Sequence, residues 1–220
     1  NNALSASMRL ITCLALFTLA LPAAALAATP QIAVGGSHTV GLASDGTVWT
    51  WGSNVKGQLC DSSRNTVDPV PGQIPGLSDV VAVAATLDGT IAVTSAGAIW
   101  ACGYNQFGEL GLGYTTPFAQ QFIVPNIMAS TATVTVDTAL GAAALGAGES
   151  HLLVIQPGGS IMAFGDNGAG QLGDGTTTDT AVGVLVVGLA GTPSAVTAGA
   201  AQSAALTTDG LVHMWGQGSS

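Results

Sequence analysis

Positive charge is nearly absent from this sequence. Its 220 residues include three Lys or Arg against twelve Asp or Glu, which gives a formal net charge of −9. Beyond residue 27 the only cations are Lys56 and Arg64. Such a surface repels phosphate groups, so we predict that the protein binds neither nucleic acid nor an anionic membrane.

Cysteine is scarce, and the usual catalytic motifs are missing. The three cysteines, Cys13, Cys60 and Cys102, have no zinc-binding spacing. The sequence also lacks Gly-x-Ser-x-Gly, His-Glu-x-x-His and Walker-type motifs. We therefore predict a protein that is not an enzyme and has no catalytic residues, cofactor or metal. A calcium loop at residues 166–179 is one alternative, although its acidic spacing differs from that of an EF-hand.

Long helical periodicity is also missing after the N-terminal region, and self-similarity takes its place. Four glycines occupy equivalent positions at spacings of 51, 62 and 51 residues. A repeat near fifty residues is typical of propellers and solenoids. The aligned glycines are Gly52, Gly103, Gly165 and Gly216, and the repeat cores are residues 34–61, 83–113, 146–175 and 198–220.

Each repeat contains a hairpin followed by a tight turn. In the first copy, apolar residues 38–43 and 47–51 flank a two-residue turn with glycine, which predicts a β-hairpin. Residues 70–77 and 80–84 are candidates for the remaining strands of a four-stranded blade. In the tight turn we expect an Asn amide to bond local backbone and a Gly to adopt a left-handed conformation. These residues are Asn54, Asn105, Asn167, Gly57, Gly108 and Gly170.

The second strand of the hairpin is uncharged at both of its alternating positions. Trp49 and Trp100 belong to one series, and Trp51 belongs to the other. A strand of this kind is expected in a sheet covered on both faces, as propeller blades are. A further signal concerns structure: His38 and His151 occupy equivalent repeat positions, which predicts one structural role used twice.

The run GGSHTVGLASDGTVWTWGSNVKGQL, residues 35–59, resembles the repeat of the regulator of chromosome condensation family. Residues 148–175 are a second close copy. The resemblance implies an all-β propeller of four-stranded antiparallel blades, with about four repeats present of a probable seven. We therefore expect an incomplete propeller over residues 28–220 and interpret the chain as a fragment of a longer protein.

Residues 1–27 have the pattern of a leader and secretory signal peptide. Arg9 precedes a short apolar run, and Ala25-Leu26-Ala27 offers a cleavage site. An uncleaved membrane anchor is the alternative. We expect a secreted, periplasmic or cell-surface protein similar to a secreted bacterial-type member of the family. In that setting Cys60 and Cys102 are either a disulfide or two buried thiols, and the sequence leaves both open.

The function predicted from these features is protein binding. A rigid repeat scaffold without a catalytic cluster suits an exported protein that binds another protein through its loops, with Tyr104, Phe107 and Phe118 as candidate contacts. The resemblance implies several roles: nucleotide exchange for a nuclear GTPase, interaction modules, and a secreted inhibitor of β-lactamase. A glycan-binding module is the alternative, in which Trp49 and Trp100 join those aromatic residues.

Overall fold

The computed structural model describes residues 28–61, 65–116, 123–130 and 135–218. The predicted leader, residues 1–27, lies outside these ranges, as do Arg64 and Phe118. Apart from one short 3-10 helix, the regular structure in the described ranges is all β. Within them, no helix has the length and apolar character needed to cross a membrane.

Four antiparallel sheets follow one another along the chain, one for each repeat, with the strands paired in sequence order. The first sheet contains β1 (Gln31–Val34), β2 (His38–Leu42), β3 (Val48–Ser53) and β4 (Val67–Gln73). The second contains β5 (Val80–Ala85), β6 (Gly89–Thr94), β7 (Ile99–Tyr104) and β8 (Ile123–Ala129).

The third sheet follows a 3-10 helix at Thr138–Ala144. It contains β9 (Leu145–Ala147), β10 (His151–Ile155), β11 (Ile161–Gly165) and β12 (Thr180–Leu185). The fourth has three strands in the described part of the chain, namely β13 (Pro193–Ala198), β14 (Gln202–Thr207) and β15 (Val212–Gly216). The prediction of an all-β, blade-like architecture is confirmed.

Several local predictions need correction. Residues 80–84 do not complete the first blade, because β5 pairs with β6 and begins the second sheet. The first sheet instead starts with β1, and its last strand ends at Gln73. Residues 114–145, which lengthen the spacing between the second and third repeats, supply β8 and the 3-10 helix.

The hairpin turn has three residues between its closing pair, one more than predicted. The Ala43 amide donates to the Thr47 carbonyl at 2.9 Å, and the Gly46 amide donates to the Ala43 carbonyl at 3.0 Å. Gly46 has a φ of 80°, which glycine adopts without the steric cost that a Cβ would impose. The same two bonds recur around Gly97, Gly159 and Gly210.

The first strands of the four sheets converge on one central opening of about 220 Å³. Backbone bonds link successive repeats around it. The Gly36 amide donates to the Leu87 carbonyl at 2.8 Å, and the Leu87 amide donates to the Glu149 carbonyl at 3.2 Å. The Glu149 amide then donates to the Gly199 carbonyl at 3.3 Å. This succession is the radial arrangement expected of propeller blades.

Burial of a sheet face depends on whether another repeat packs against it. Every residue of β10 is buried, which confirms that a middle sheet is covered on both faces. On the first sheet, Ile32 is 69% exposed, whereas Val83 and Val196, at the equivalent positions of the second and fourth repeats, are buried. Blade stacking therefore supplies the core: each inner face is dry because another repeat packs against it.

A disulfide joins the first two repeats. Cys60 and Cys102 are bonded, with 5.5 Å between their Cα atoms and a sequence separation of 42 residues. Of the two alternatives that the sequence left open, the structure contains the disulfide. Both cysteines are buried in the apolar cluster between the first and second sheets.

Candidate functional site

The tight turn after each hairpin is fixed by its asparagine. The Leu110 amide donates to Asn105 Oδ1 at 3.2 Å, and Asn105 Nδ2 donates to the Tyr114 carbonyl at 2.8 Å. The buried Asn54 and Asn167 accept from the equivalent leucine amides at 3.0 Å. The turn glycines, Gly57, Gly108 and Gly170, have φ values of 75°, 87° and 77°.

The aligned glycine at the end of each hairpin allows two backbone segments to approach closely. Gly52, Gly103, Gly165 and Gly216 have φ values between 94° and 109°. A Cβ built on Gly165 would lie 2.3 Å from the Ser150 carbonyl oxygen, which leaves no room for a side chain. The turn and the preceding strand are thus locked together, so loops at this end project from a rigid base.

Two of the three junctions between repeats contain a buried histidine bridge. His38 Nε2 lies 3.1 Å from Thr90 Oγ1, and Thr90 Oγ1 donates to the Gln58 carbonyl at 2.7 Å. His151 Nε2 lies 2.9 Å from Ser203 Oγ, whose hydroxyl donates to the Gln171 carbonyl at 2.6 Å. Because each hydroxyl proton is used by a carbonyl, we assign Nε2–H as the donor to the hydroxyl oxygen.

Both bridging histidines are neutral at physiological pH. Burial lowers the pKa of His38 and of His151 to about 4, since a charged imidazolium would lose its hydration. At the junction between the second and third repeats, Gly89 replaces the histidine and Leu152 replaces the hydroxyl residue. Both members of the polar pair are therefore replaced at the same junction. These contacts give the histidines a structural role at the junctions.

A cavity of about 300 Å³ lies at the turn end of the fold, and we call it the loop cavity. It opens where loops of the first three repeats meet. Its lining combines aromatic, apolar and charged side chains: Lys56, Leu87, Asp88, Tyr104, Phe107, Glu149 and Ser150. A mixture of this kind is typical of protein-recognition surfaces, where aromatic anchors are framed by polar groups.

Lys56 and Tyr104 interact directly across the first two repeats. Lys56 Nζ lies 5.3 Å from the centre of the Tyr104 ring, within the range of a cation–π contact. The Tyr104 hydroxyl donates to Gln106 Oε1. Burial raises the pKa of Tyr104, and the charges of Glu109 and Asp88 raise it further. The phenol therefore stays protonated, and Tyr104 can present its ring to a ligand.

Glu109 lies behind this surface and is only 1% exposed. Its Oε2 accepts a hydrogen bond from the Phe107 amide at 2.9 Å. Its Oε1 is buried and has no hydrogen-bond partner among the described residues. Burial raises the pKa of Glu109 to about 7, and the nearby charge of Asp166 adds to that shift, while three backbone hydrogen bonds oppose it.

Of the predicted partner-binding residues, the structure places Tyr104 and Phe107 together in the loop cavity. Phe118 lies outside the described residues. The tryptophans of the glycan alternative are elsewhere: Trp49 is 38% exposed on the outer face of the first sheet, and Trp100 is half-buried against the core. These aromatic side chains therefore do not form one platform for a sugar.

The charged residues of the loop cavity were not predicted from the sequence. Lys56 and Phe107 occupy equivalent repeat positions, as do Asp88 and Ser150. The cavity is therefore built from a few repeat positions that vary in residue type at one end of the fold. Those varying positions, next to the constant Asn-x-x-Gly turn, were a signal from which the cavity was predictable.

The acidic loop at residues 166–179 uses its carboxylates internally. Asp174 Oδ1 accepts from Asn167 Nδ2 at 3.1 Å and from the Thr176 amide at 2.9 Å. Asp179 Oδ1 accepts from the Asn167 amide at 2.8 Å. In the described ranges, no group of three or more His, Cys, Asp or Glu side chains is arranged to hold a metal ion. The carboxylates shape a turn.

Comparison with known proteins supports the repeat family. Residues 31–58 and 45–93 match profiles described as Regulator of chromosome condensation (RCC1) repeat. The ultraviolet-B receptor UVR8 of Arabidopsis thaliana is 31% identical over 190 residues, covering 84% of this chain and 40% of that protein. Mouse serine/threonine-protein kinase Nek9 is 28% identical over 207 residues, covering 86% and 20%. The chain thus spans less than half the length of either relative.

Solved structures give the same fold. Yeast RCC1 (Prp20), solved bound to Kap60, superposes with a TM-score of 0.68 at 22% identity, covering 84% of this chain and 43% of that one. Human WBSCR16 superposes with a TM-score of 0.70 at 21% identity, covering 86% and 47%. A further structure of Prp20p from Saccharomyces cerevisiae, with a TM-score of 0.69, is described with its binding properties to Gsp1p and histones. At these identities the comparison concerns the fold, which is an RCC1-like β-propeller.

Proposed function

We propose that this RCC1-repeat propeller is an exported, non-enzymatic scaffold that binds another protein through the loop cavity. The observation that carries the proposal is the meeting of Tyr104 and Phe107 with charged side chains from three repeats in one recess. Aromatic side chains in such recesses supply much of the binding energy of protein interfaces. The fold supports an interaction or regulatory role of this general kind.

The rigidity of the surrounding repeats favours binding at this end. Asn105 fixes the turn that carries Phe107, and Gly103 holds the end of the strand that carries Tyr104. When the backbone is already fixed, binding requires little further ordering of the loop. The entropic cost of binding is therefore small. The base of the loop cavity is thus organised before a partner arrives.

Charge complementarity favours a basic segment of the partner. Asp88 and Glu149 line the loop cavity, and the whole chain carries a net charge of −9. Positive residues on a partner would be attracted to this surface and oriented by it. Lys56 introduces one positive charge beside Tyr104, which would favour a partner that also offers an acceptor at that point.

Export is the part of the proposal that depends on the leader and the disulfide. Disulfides persist mainly in oxidising compartments, and the Cys60–Cys102 bond is consistent with such a setting. We therefore place the partner among secreted, periplasmic or cell-surface proteins. The nuclear GTPase exchange reaction implied by the resemblance does not suit that compartment.

A differential binding experiment tests the proposal. The wild-type chain, a Tyr104→Ala/Phe107→Ala variant and a Trp49→Ala control are immobilised and incubated with exported proteins or with insoluble glycans. We expect a protein to be retained by the wild type and the Trp49 control and lost by the double variant. Retention of glycans that requires Trp49, or equal protein retention by all three chains, would contradict the proposal.

A further inference from the structure

One buried carboxyl group is not used by the proposed binding role. Glu109 takes the place that Gln58 and Gln171 occupy in the other two complete repeats. All three side chains accept the same backbone bond, from the amide two residues earlier, at 2.7–2.9 Å. The repeats therefore use one oxygen of this side chain identically and differ only in the other atom.

The other atom is a donor in the glutamine repeats. Gln58 Nε2 donates to Asp88 Oδ1 at 3.2 Å, and Gln171 Nε2 donates to Asp166 Oδ2 at 2.8 Å. In Glu109 the corresponding atom is Oε1, which is buried without a hydrogen-bond partner in the described part of the chain. A neutral carboxylic acid has an O–H at this place, whereas a carboxylate has only acceptors.

Packing keeps the group between the second and third repeats. A Cβ built on Gly108 would lie 2.3 Å from Ala181 Cβ, and one built on Gly165 would lie 3.1 Å from the Glu109 Cα. A carboxylate formed in this gap would lose most of its hydration and gain no positive partner in exchange. The geometry thus favours the protonated form.

We propose that Glu109 acts as a proton-dependent latch: as a neutral acid it is tolerated in the buried place of the glutamine of the other repeats, and loss of its proton to solvent leaves an uncompensated buried charge that loosens the turn that carries Phe107. The raised pKa of this group, about 7, agrees with the packing. The latch is independent of the partner-binding role, although Phe107 belongs to both.

One of the charged groups near Glu109 reinforces this direction. Asp166 lies on the third repeat and raises the pKa of Glu109 through its charge. On the second repeat, Tyr104 shares the turn and Asp88 lines the adjoining loop cavity, as does Glu149 of the third repeat. Lys56 of the first repeat interacts with the Tyr104 ring. Of these groups, Asp166 is the one whose charge opposes ionisation of Glu109.

The sequence allows a direct measurement, because Glu109 and Glu149 are the only glutamates. In the intact chain labelled with ¹³C at the glutamate carboxyl carbons, an NMR pH titration should show two signals. The exposed Glu149→Gln variant assigns them without disturbing the core. We expect the Glu109 signal to titrate near pH 7 and the Phe107 amide signal to shift with it. A Glu109 midpoint near the ordinary value of 4.5, or a Phe107 amide unaffected by the titration, would overturn the proposal.

Unfolding measurements provide a second test. Because the pKa of Glu109 is higher in the folded chain than in the unfolded one, its stabilising effect is full below about pH 4.5 and is lost as the pH rises through about 7. Between pH 5 and 8, we expect the unfolding constant of the wild type to rise relative to that of Glu109→Gln by roughly 10- to 100-fold. The Glu149→Gln control should show no such relative change. A constant ratio between wild type and Glu109→Gln across this range would contradict the latch.

Discussion

Cys60 is bonded to Cys102 at a place where the other junctions pair a glycine with an aromatic ring. Gly173 is the equivalent of Cys60 in the third repeat, and a Cβ built on it would lie 2.6 Å from Trp215 Nε1. Trp215 is in turn the equivalent of Cys102. Cys60 keeps the left-handed backbone of those glycines, with a φ of 58°. The disulfide thus replaces a packing contact that the repeat otherwise makes with a ring.

Removal of the disulfide should destabilise the first junction. Closing a loop with 42 residues of separation restricts the unfolded chain, so we expect Cys60→Ser/Cys102→Ser to lower the free energy of unfolding by about 2–4 kcal/mol. The measurement is denaturant unfolding of the intact chain. A Cys60→Gly/Cys102→Phe variant, which copies the second junction, is the matched control and should recover part of the loss. Equal stability of the serine variant and the wild type would contradict this role of the bond.

The Thr90 hydroxyl at the first junction should also contribute to the free energy of unfolding. Thr90→Val removes the donor to the Gln58 carbonyl and leaves the buried His38 Nε2 without its partner. We expect a loss of about 1–3 kcal/mol in the free energy of unfolding. Thr39→Val is the matched control, because Thr39 has the same repeat position on the partly exposed face of the first sheet. Its effect should stay within about 0.5 kcal/mol. A similar loss in both variants would show that the bridge contributes nothing specific.

Close backbone approach, and not positive φ alone, should explain the need for glycine at the end of each hairpin. In Gly165→Ala the new Cβ meets the Ser150 carbonyl, so we expect a loss of about 3 kcal/mol or more. Gly188 has a φ of 73° but no atom within 4 Å of a built Cβ. Gly188→Ala should therefore cost only about 1–2 kcal/mol. Thermal and denaturant unfolding would compare them, and equal losses would contradict the steric explanation.

The buried histidines should make the fold sensitive to acid. Their pKa values, about 4, lie below the ordinary 6.5, so the folded chain binds fewer protons than the unfolded chain between these values. Stability is therefore full above pH 6.5 and falls as the pH decreases towards 4. Unfolding is best measured in a Glu109→Gln background, because Glu109 has the opposite dependence. His38→Gln, which copies Gln202 of the fourth repeat, should flatten the curve. An unchanged curve would contradict this assignment.

The architecture was predictable because the same turn residues recur from repeat to repeat. Gly46 and Asn54 require particular backbone conformations, and their recurrence about fifty residues apart determines where each hairpin and turn falls. Strand membership was harder, since β5 was assigned to the wrong blade. An apolar segment between two hairpins pairs with either one, and only long-range packing decides between them.

The candidate site was only partly predictable for a related reason. Tyr104 and Phe107 were identified from residue type, but their neighbours Asp88 and Glu149 come from loops that are distant in the sequence. The disulfide was equally hidden, because Cys60 and Cys102 have different positions in the repeat. Both become neighbours only when one blade packs against the next, which a linear alignment of the repeats does not represent.

The most direct test of the account is site-specific photo-crosslinking of the intact chain among exported proteins. A photoreactive phenylalanine analogue replaces Phe107 in the loop cavity or, in a control, Trp49 on the outer face of the first sheet. We predict that position 107 forms a covalent adduct with one protein, that unlabelled wild-type chain competes for it, and that position 49 does not form the same adduct. The same adduct from position 49 alone, or none from position 107 while binding is intact, would contradict the account.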